Sequence, residues 1–235
     1  MRATKLVFLL LAAVVVLTFT GNAQAVPVVP GNQVQLYDGP GTTGGGEFYV
    51  DVLSSGAGPS PFYDFTTFCI EHNEYIYLST ARTSYIYTVD SISNRAFAGG
   101  IDNHDTPGLA GDPLDPKTAY LFYKFTTGSL GLGTINTYNH SQSDANALQT
   151  LLWMLEDEIA WVEPATGTKA AAWYADAQAH AGSGLWGVQV MNIKDASGHL
   201  AQSQLIYVPE PASLLLLALC VPAFGGMAWR WRPRG

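Results

Sequence analysis

The chain has 235 residues, 19 acidic against 11 basic side chains, and only two cysteines. Its net charge of −8 argues against nucleic acid or an anionic membrane surface as a partner. Two cysteines in very different segments exclude a disulfide-stapled scaffold.

The N-terminus opens with Arg2 and Lys5, followed by an unbroken apolar run at 6–19. Ala23-Gln24-Ala25 then offers a small-x-small cleavage site, so 1–25 reads as a secretory signal peptide. The run is short for a membrane span. The body that follows, 26–207, is long enough for one domain with a real core. Over 26–208, 18 acidic side chains face six basic ones, leaving a net charge of about −12. Few charges with abundant Gly, Ser, Thr, Tyr and Trp suit an extracytoplasmic β-rich domain.

Along the body, 32–39 and 46–53 alternate as strands, with a Gly-rich turn between them. Residues 64–79 and 83–92 read as two further strands. A polar Gly- and Pro-rich loop spans 93–116. The period then changes. Pro116 at a first turn and Gly128 as a stop predict a helix over 115–128. The clearest helix is 141–158, with Ser143 as its expected N-cap and Ala145, Leu148, Leu152 and Leu155 as its apolar stripe. A third helix ends at Gly182, and strands at 185–193 and 202–208 close the body. Strands, a helical block and strands again predict an α+β fold.

The tail, 208–235, combines Pro209, Glu210 and Pro211 with an apolar stretch at 212–229. Arg230, Arg232 and Arg234 follow directly, which places the extreme C-terminus in the cytoplasm and the body outside. This three-part order resembles the PEP-CTERM sorting tail of bacterial surface proteins. The resemblance implies an exosortase-type processing enzyme as a partner. It also implies a precursor anchored in the inner membrane and a mature protein at the outer surface or in the extracellular matrix.

Cys69 is the one cysteine of the body, and an unpaired thiol in an exported protein needs a reason. It stands in "FCIE" (68–71), beside Glu71. Gln149 stands in "LQTLLW" (148–153), four residues before Trp153 and on the flank of the helical stripe. A carboxamide there is expected to be partly buried and to find a partner. The two stretches resemble the thioester domains of bacterial surface adhesins. Those domains carry a hydrophobic-Cys-aliphatic-acidic motif and, later, a Thr-Gln-x-Ala-Ile-Trp motif. Here Leu148 replaces the Thr, and Leu151 and Leu152 replace Ala-Ile. The resemblance implies a thioester between Cys69 and Gln149, with Glu71 and Trp153 as motif neighbours and the amine of a surface or matrix protein, or a polysaccharide, as target. The alternative is a structural exopolysaccharide- or biofilm-associated matrix protein without a reactive bond.

Other constellations are weaker. His72, His104, His140, His180 and His199 show no metal-ligand spacing. Asp102, Asp105, Asp112 and Asp115 offer oxygens for Ca²⁺ but not in EF-hand order. Tyr75, Tyr77, Tyr85 and Tyr87 alternate on two expected strands, as a half-buried sheet face or a sugar-stacking surface. A Cys69–His72 hydrolase dyad lacks an orienting third group, and strand positions three apart face opposite sides. Neither an enzyme nor a cofactor is expected.

Overall fold

The computed structural model describes residues 28–42, 44–53, 64–80, 84–97 and 111–209. Apart from Pro209, these belong to one compact unit, Val26–Val208. The signal peptide, the 212–229 span, Glu210, Pro211, Arg230, Arg232 and Arg234 lie outside the described residues, as do His104, Asp102 and Asp105.

The described part is α+β. A six-stranded antiparallel sheet has the order β3-β2-β1-β4-β7-β8. Its strands are β1 (Gln33–Thr42), β2 (Gly45–Val52), β3 (Phe65–Thr67), β4 (Tyr87–Ser93), β7 (Val188–Lys194) and β8 (Leu200–Tyr207). A small pair, β5 (Arg95–Ala96) with β6 (Asp112–Pro113), stands apart. The helices α1 (Pro116–Thr126), α2 (Gln142–Leu155) and α3 (Lys169–His180) come between β6 and β7.

The sheet curls until the segment after β3 meets the opposite edge, β8. There Ile70 N–H donates to Ser203 O at 3.2 Å and Leu205 N–H to Phe68 O at 3.0 Å. Cys69 faces Gln204 across this seam as a single antiparallel bridge. Side-chain alternation sorts the seam into two cores. Phe68 and Ile70 join the helix-side cluster with Leu121, Phe122, Leu148, Leu152 and Trp173. Cys69 turns the other way, among Val34, Leu36, Val50, Val89, Met191 and Ile206 inside the curl. Each fully buried aliphatic side chain here contributes roughly 1.5–3 kcal/mol, so the alternation fixes which way Cys69 points.

Three expectations are corrected. Residues 64–79 are not one strand: only Phe65–Thr67 pair regularly, and the chain beyond Cys69 is held piecemeal. Ser79 N–H donates to Leu36 O at 2.7 Å, and Tyr77 N–H to the Tyr87 hydroxyl at 2.7 Å. The tyrosines therefore form no two-strand ladder: of the four, only Tyr87 lies in a strand. Tyr85 has φ +52°, and its ring stacks on Tyr77 at 5.2 Å. Finally, the N-cap of α2 is Ser141, not Ser143. Ser141 keeps extended φ/ψ, and its Oγ accepts from Asp144 N–H at 3.2 Å. The other two helices are capped by Asp115 and Thr168.

Candidate functional site

Helix α2 carries its carboxamide into the gap between the two cores. Leu148, Leu151, Leu152 and Leu155 anchor it on the helix side, while Trp153 turns into the curl. Gln149 lies between these faces and is buried more deeply than its place on the flank of the stripe implies, at 1% exposure. Cys69 is fully enclosed.

The two residues, 80 positions apart, are in direct contact. The Cys69 thiol donates to Gln149 Oε1 at 3.4 Å, and Gln149 Nε2 donates to the main-chain oxygen of Cys69 at 2.7 Å. Gly46 N–H donates to the same Oε1 at 3.3 Å. A main-chain oxygen can only accept and a main-chain N–H can only donate, so these two partners fix which end of the amide is which. The carbonyl thus faces one sulfur and one backbone donor, and the nitrogen faces away from both.

Burial, and after it the charge of Glu71, push the Cys69 thiol well above its ordinary pKa. The indole N–H of Trp153 lies on the side that favours the thiolate but completes no regular hydrogen bond. In this state Cys69 is a neutral thiol against a neutral amide. Condensing the two yields another neutral group, so no buried charge remains in the product.

The motif neighbours have distinct surroundings. Trp153 is 8% exposed and closes one side, with the His72 ring edge-on at 4.7 Å. Glu71 ties down the seam: its Oε2 accepts from Ser203 N–H at 2.7 Å, and its main-chain oxygen accepts from Gln202 Nε2 at 2.6 Å. Its Oε1 is buried without a hydrogen-bond partner, and burial raises the carboxyl to about 8. Glu71 is therefore largely protonated at neutral pH. His72 N–H donates to Glu158 Oε2 at 3.0 Å.

Gly45 completes the enclosure. A Cβ on it would lie 2.5 Å from Trp153 Cη2 and 2.7 Å from Gln149 Cγ, and its φ is +149°. The Gly-rich turn expected from the sequence is thus also a wall of the site. Nothing local in the sequence signals this, because its partners lie more than a hundred residues away.

A second polar cluster went unread in the sequence. Buried Glu47 accepts from the Tyr138 hydroxyl at 2.5 Å and lies 3.0 Å from His140 Nδ1. Burial and Glu47 hold the Tyr138 hydroxyl far above its usual pKa. The cluster braces β2 against the segment before α2, with Asp144 and Lys169 paired nearby at 2.7 Å. Among the described residues, no group of three His, Cys, Asp or Glu is placed to hold a metal ion. Nor is any helix among them long and apolar enough to cross a membrane.

Comparison of the chain with protein-family models, with curated proteins and with solved structures finds no match.

Proposed function

We propose that this is an exported surface protein whose body forms an internal thioester between Cys69 and Gln149, and that it is joined through that bond to an amine on a surface or matrix partner. The observation that carries the reading is the buried contact of the thiol with the carboxamide oxygen at 3.4 Å. The sorting tail, read from Pro209, Glu210, Pro211 and the terminal arginines, supplies the outward location.

The chemistry balances without a cofactor. The sulfur of Cys69 attacks the side-chain carbonyl carbon of Gln149, and negative charge gathers on Oε1 opposite Gly46 N–H. The C–N bond breaks, and the thiol proton leaves with the nitrogen as ammonia. A primary amine later attacks the same carbon, an amide forms and the thiol is released. A thiol is a better leaving group than an amine, so this second step runs downhill. Dry walls protect the bond from water in the meantime.

The test is mass and reactivity. The purified protein is expected to weigh one ammonia less than its processed sequence. Methylamine is expected to add once and to free one thiol on the peptide carrying Cys69. Cys69→Ala is expected to keep the full mass and ignore the amine. Full mass in the wild type, with a thiol that titrates after unfolding and no amine adduct, overturns the reading in favour of a structural matrix protein.

A further inference from the structure

The condensation of Cys69 with Gln149 leaves a proton to be moved. The thiol faces Gln149 Oε1, while the amide nitrogen faces the main-chain oxygen of Cys69. The proton that departs with ammonia therefore starts on one side of the amide and ends on the other. Burial keeps the thiol neutral, so the proton has to be taken as the sulfur attacks. Neither Gly46 N–H nor the Cys69 main-chain oxygen can do this, since neither titrates.

Three buried side-chain atoms around Cys69 lack a hydrogen-bond partner: Trp153 Nε1, Gln204 Oε1 and Glu71 Oε1. Such atoms in a buried site call for a role. The indole only donates, and the carboxamide of Gln204, directly opposite Cys69, takes up no proton. Glu71 is the titratable one. It stands two residues beyond Cys69 on the seam, with Ile70 turned into the other core between them. It is 2% exposed, and its charge is the strongest acting on the thiol. Ser203 N–H pins its Oε2 at 2.7 Å, which leaves Oε1 as the free oxygen. The other groups nearby are placed differently. Glu158 gives its Oε2 to His72 N–H, and exposed His72 lays its ring against Trp153. Burial, with Glu158 and Glu74 as the neighbouring charges, raises Glu71 to about 8. Both of its forms are therefore populated near neutral pH, where a general acid–base group works best.

We infer that Glu71 is the proton carrier of the Cys69–Gln149 site, an inference that rests on the thioester reading. Ionised Glu71 takes the thiol proton on Oε1 as the sulfur attacks the Gln149 carbonyl carbon. The carboxyl then gives that proton to the nitrogen as the C–N bond breaks, and ammonia leaves. Glu71 ends ionised, as it began, so atoms and charge balance. An amine that opens the bond runs the same steps backwards. Glu71 takes a proton from the attacking nitrogen and returns one to the sulfur.

The experiment uses the full chain and its Glu71→Gln and Glu71→Asp variants, with thermal midpoints as the check on folding. Glutamine keeps an oxygen for Ser203 N–H but carries no exchangeable acid proton. The mass of freshly purified protein reads the closed fraction. Opening by ammonia, timed as thiol release on the peptide carrying Cys69, reads the rate. In the wild type, the rate per free ammonia is expected to rise with pH and level off above about 8. Glu71→Gln is expected to be open as made, or to open about a hundredfold more slowly and without that break. Glu71→Asp should be slow but keep a break, which mere loss of a seam contact would not give. A Glu71→Gln protein that closes fully and opens at the wild-type rate overturns the inference alone. If Glu71→Gln does not fold, the wild-type profile decides, and a rate that climbs without a break from about pH 6 to about pH 10 overturns it. A wild type of full mass overturns the thioester reading, and the proton carrier with it.

Discussion

Gln35 and Gln149 are both fully buried carboxamides, yet the chain holds them in opposite ways. Gln35, on β1, donates to Ser84 O at 2.6 Å and to Ser79 Oγ at 3.2 Å, and its Oε1 accepts from the Tyr37 hydroxyl at 3.2 Å. All of its named partners are hydroxyls or main-chain oxygens. Gln149 has one short bond, through its nitrogen, while its carbonyl has only the longer contacts to Gly46 and the thiol. The same side chain is a structural clamp in one place and, in the proposed thioester, a buried electrophile in the other. The difference lies in what faces the carbonyl, not in burial.

The largest effect expected from this contrast separates stability from chemistry. Gln35→Ala and Gln149→Ala each leave buried groups without partners, at about 1–3 kcal/mol apiece. Denaturant midpoints should fall in both. Only Gln149→Ala should abolish amine addition altogether and leave Cys69 as a free thiol. If Gln35→Ala, at a concentration of denaturant where it is still folded, also lost the amine adduct, the contrast would fail. The reactivity would then belong to the general integrity of the curl.

A smaller effect separates the two regions by pH. Burial raises Glu71 and Glu156 to about 8, against an ordinary 4.5. Glu71 follows Cys69 on the seam and Glu156 caps α2, whereas none of Gln35's named partners carries a carboxyl. The folded state therefore holds protons that the unfolded chain releases between about pH 4.5 and about 8. Stability should decline as pH rises through that window and level off above it. Urea midpoints measured across the window should show the decline, and Glu71→Gln should flatten part of it. A midpoint that instead climbs with pH would mean that Glu71 is ionised in the fold, its Oε1 partnered after all.

How far the sequence carried this reading depends on whether each signal was local. Strands β1 and β2 were legible because Val34, Leu36, Phe48 and Val50 repeat at period two and point into one core. The helices were legible from caps and stops within a few residues of each end. Residues 70–79 were not, because their composition suits a strand but they meet the sheet only at separate points, Ile70 N–H on Ser203 O and Ser79 N–H on Leu36 O. Strand β1 pairs with β4 only at Gln33 and Val34, so no continuous ladder forms there. Cys69 and Gln149 could be picked out by motif, but their contact depends on the seam with β8 and on the wall at Gly45. Glu47, Tyr138 and His140 carried no spacing signal, being gathered from 91 and 93 positions apart.

The smallest effect concerns the helix that delivers Gln149. Ser141 and Ser143 are equally plausible caps by residue type, and the backbone decides between them. Ser141 is extended at φ −79°, ψ 156°, with its Oγ on Asp144 N–H. Ser143 is already helical, and its hydroxyl rests 3.0 Å from that of Ser141. Ser141→Ala should cost about 1 kcal/mol, while Ser143→Ala should be near neutral. Ser141→Ala loosens that end, so hydrogen exchange should quicken in the first turn of α2. The turn holding Gln149, anchored by Leu148 and Leu152 on the helix-side core, should keep its protection. Quickened exchange reaching Gln149 would show that the placement of its carboxamide depends on the cap. Exchange confined to the first turn would show that core packing alone fixes it against Cys69.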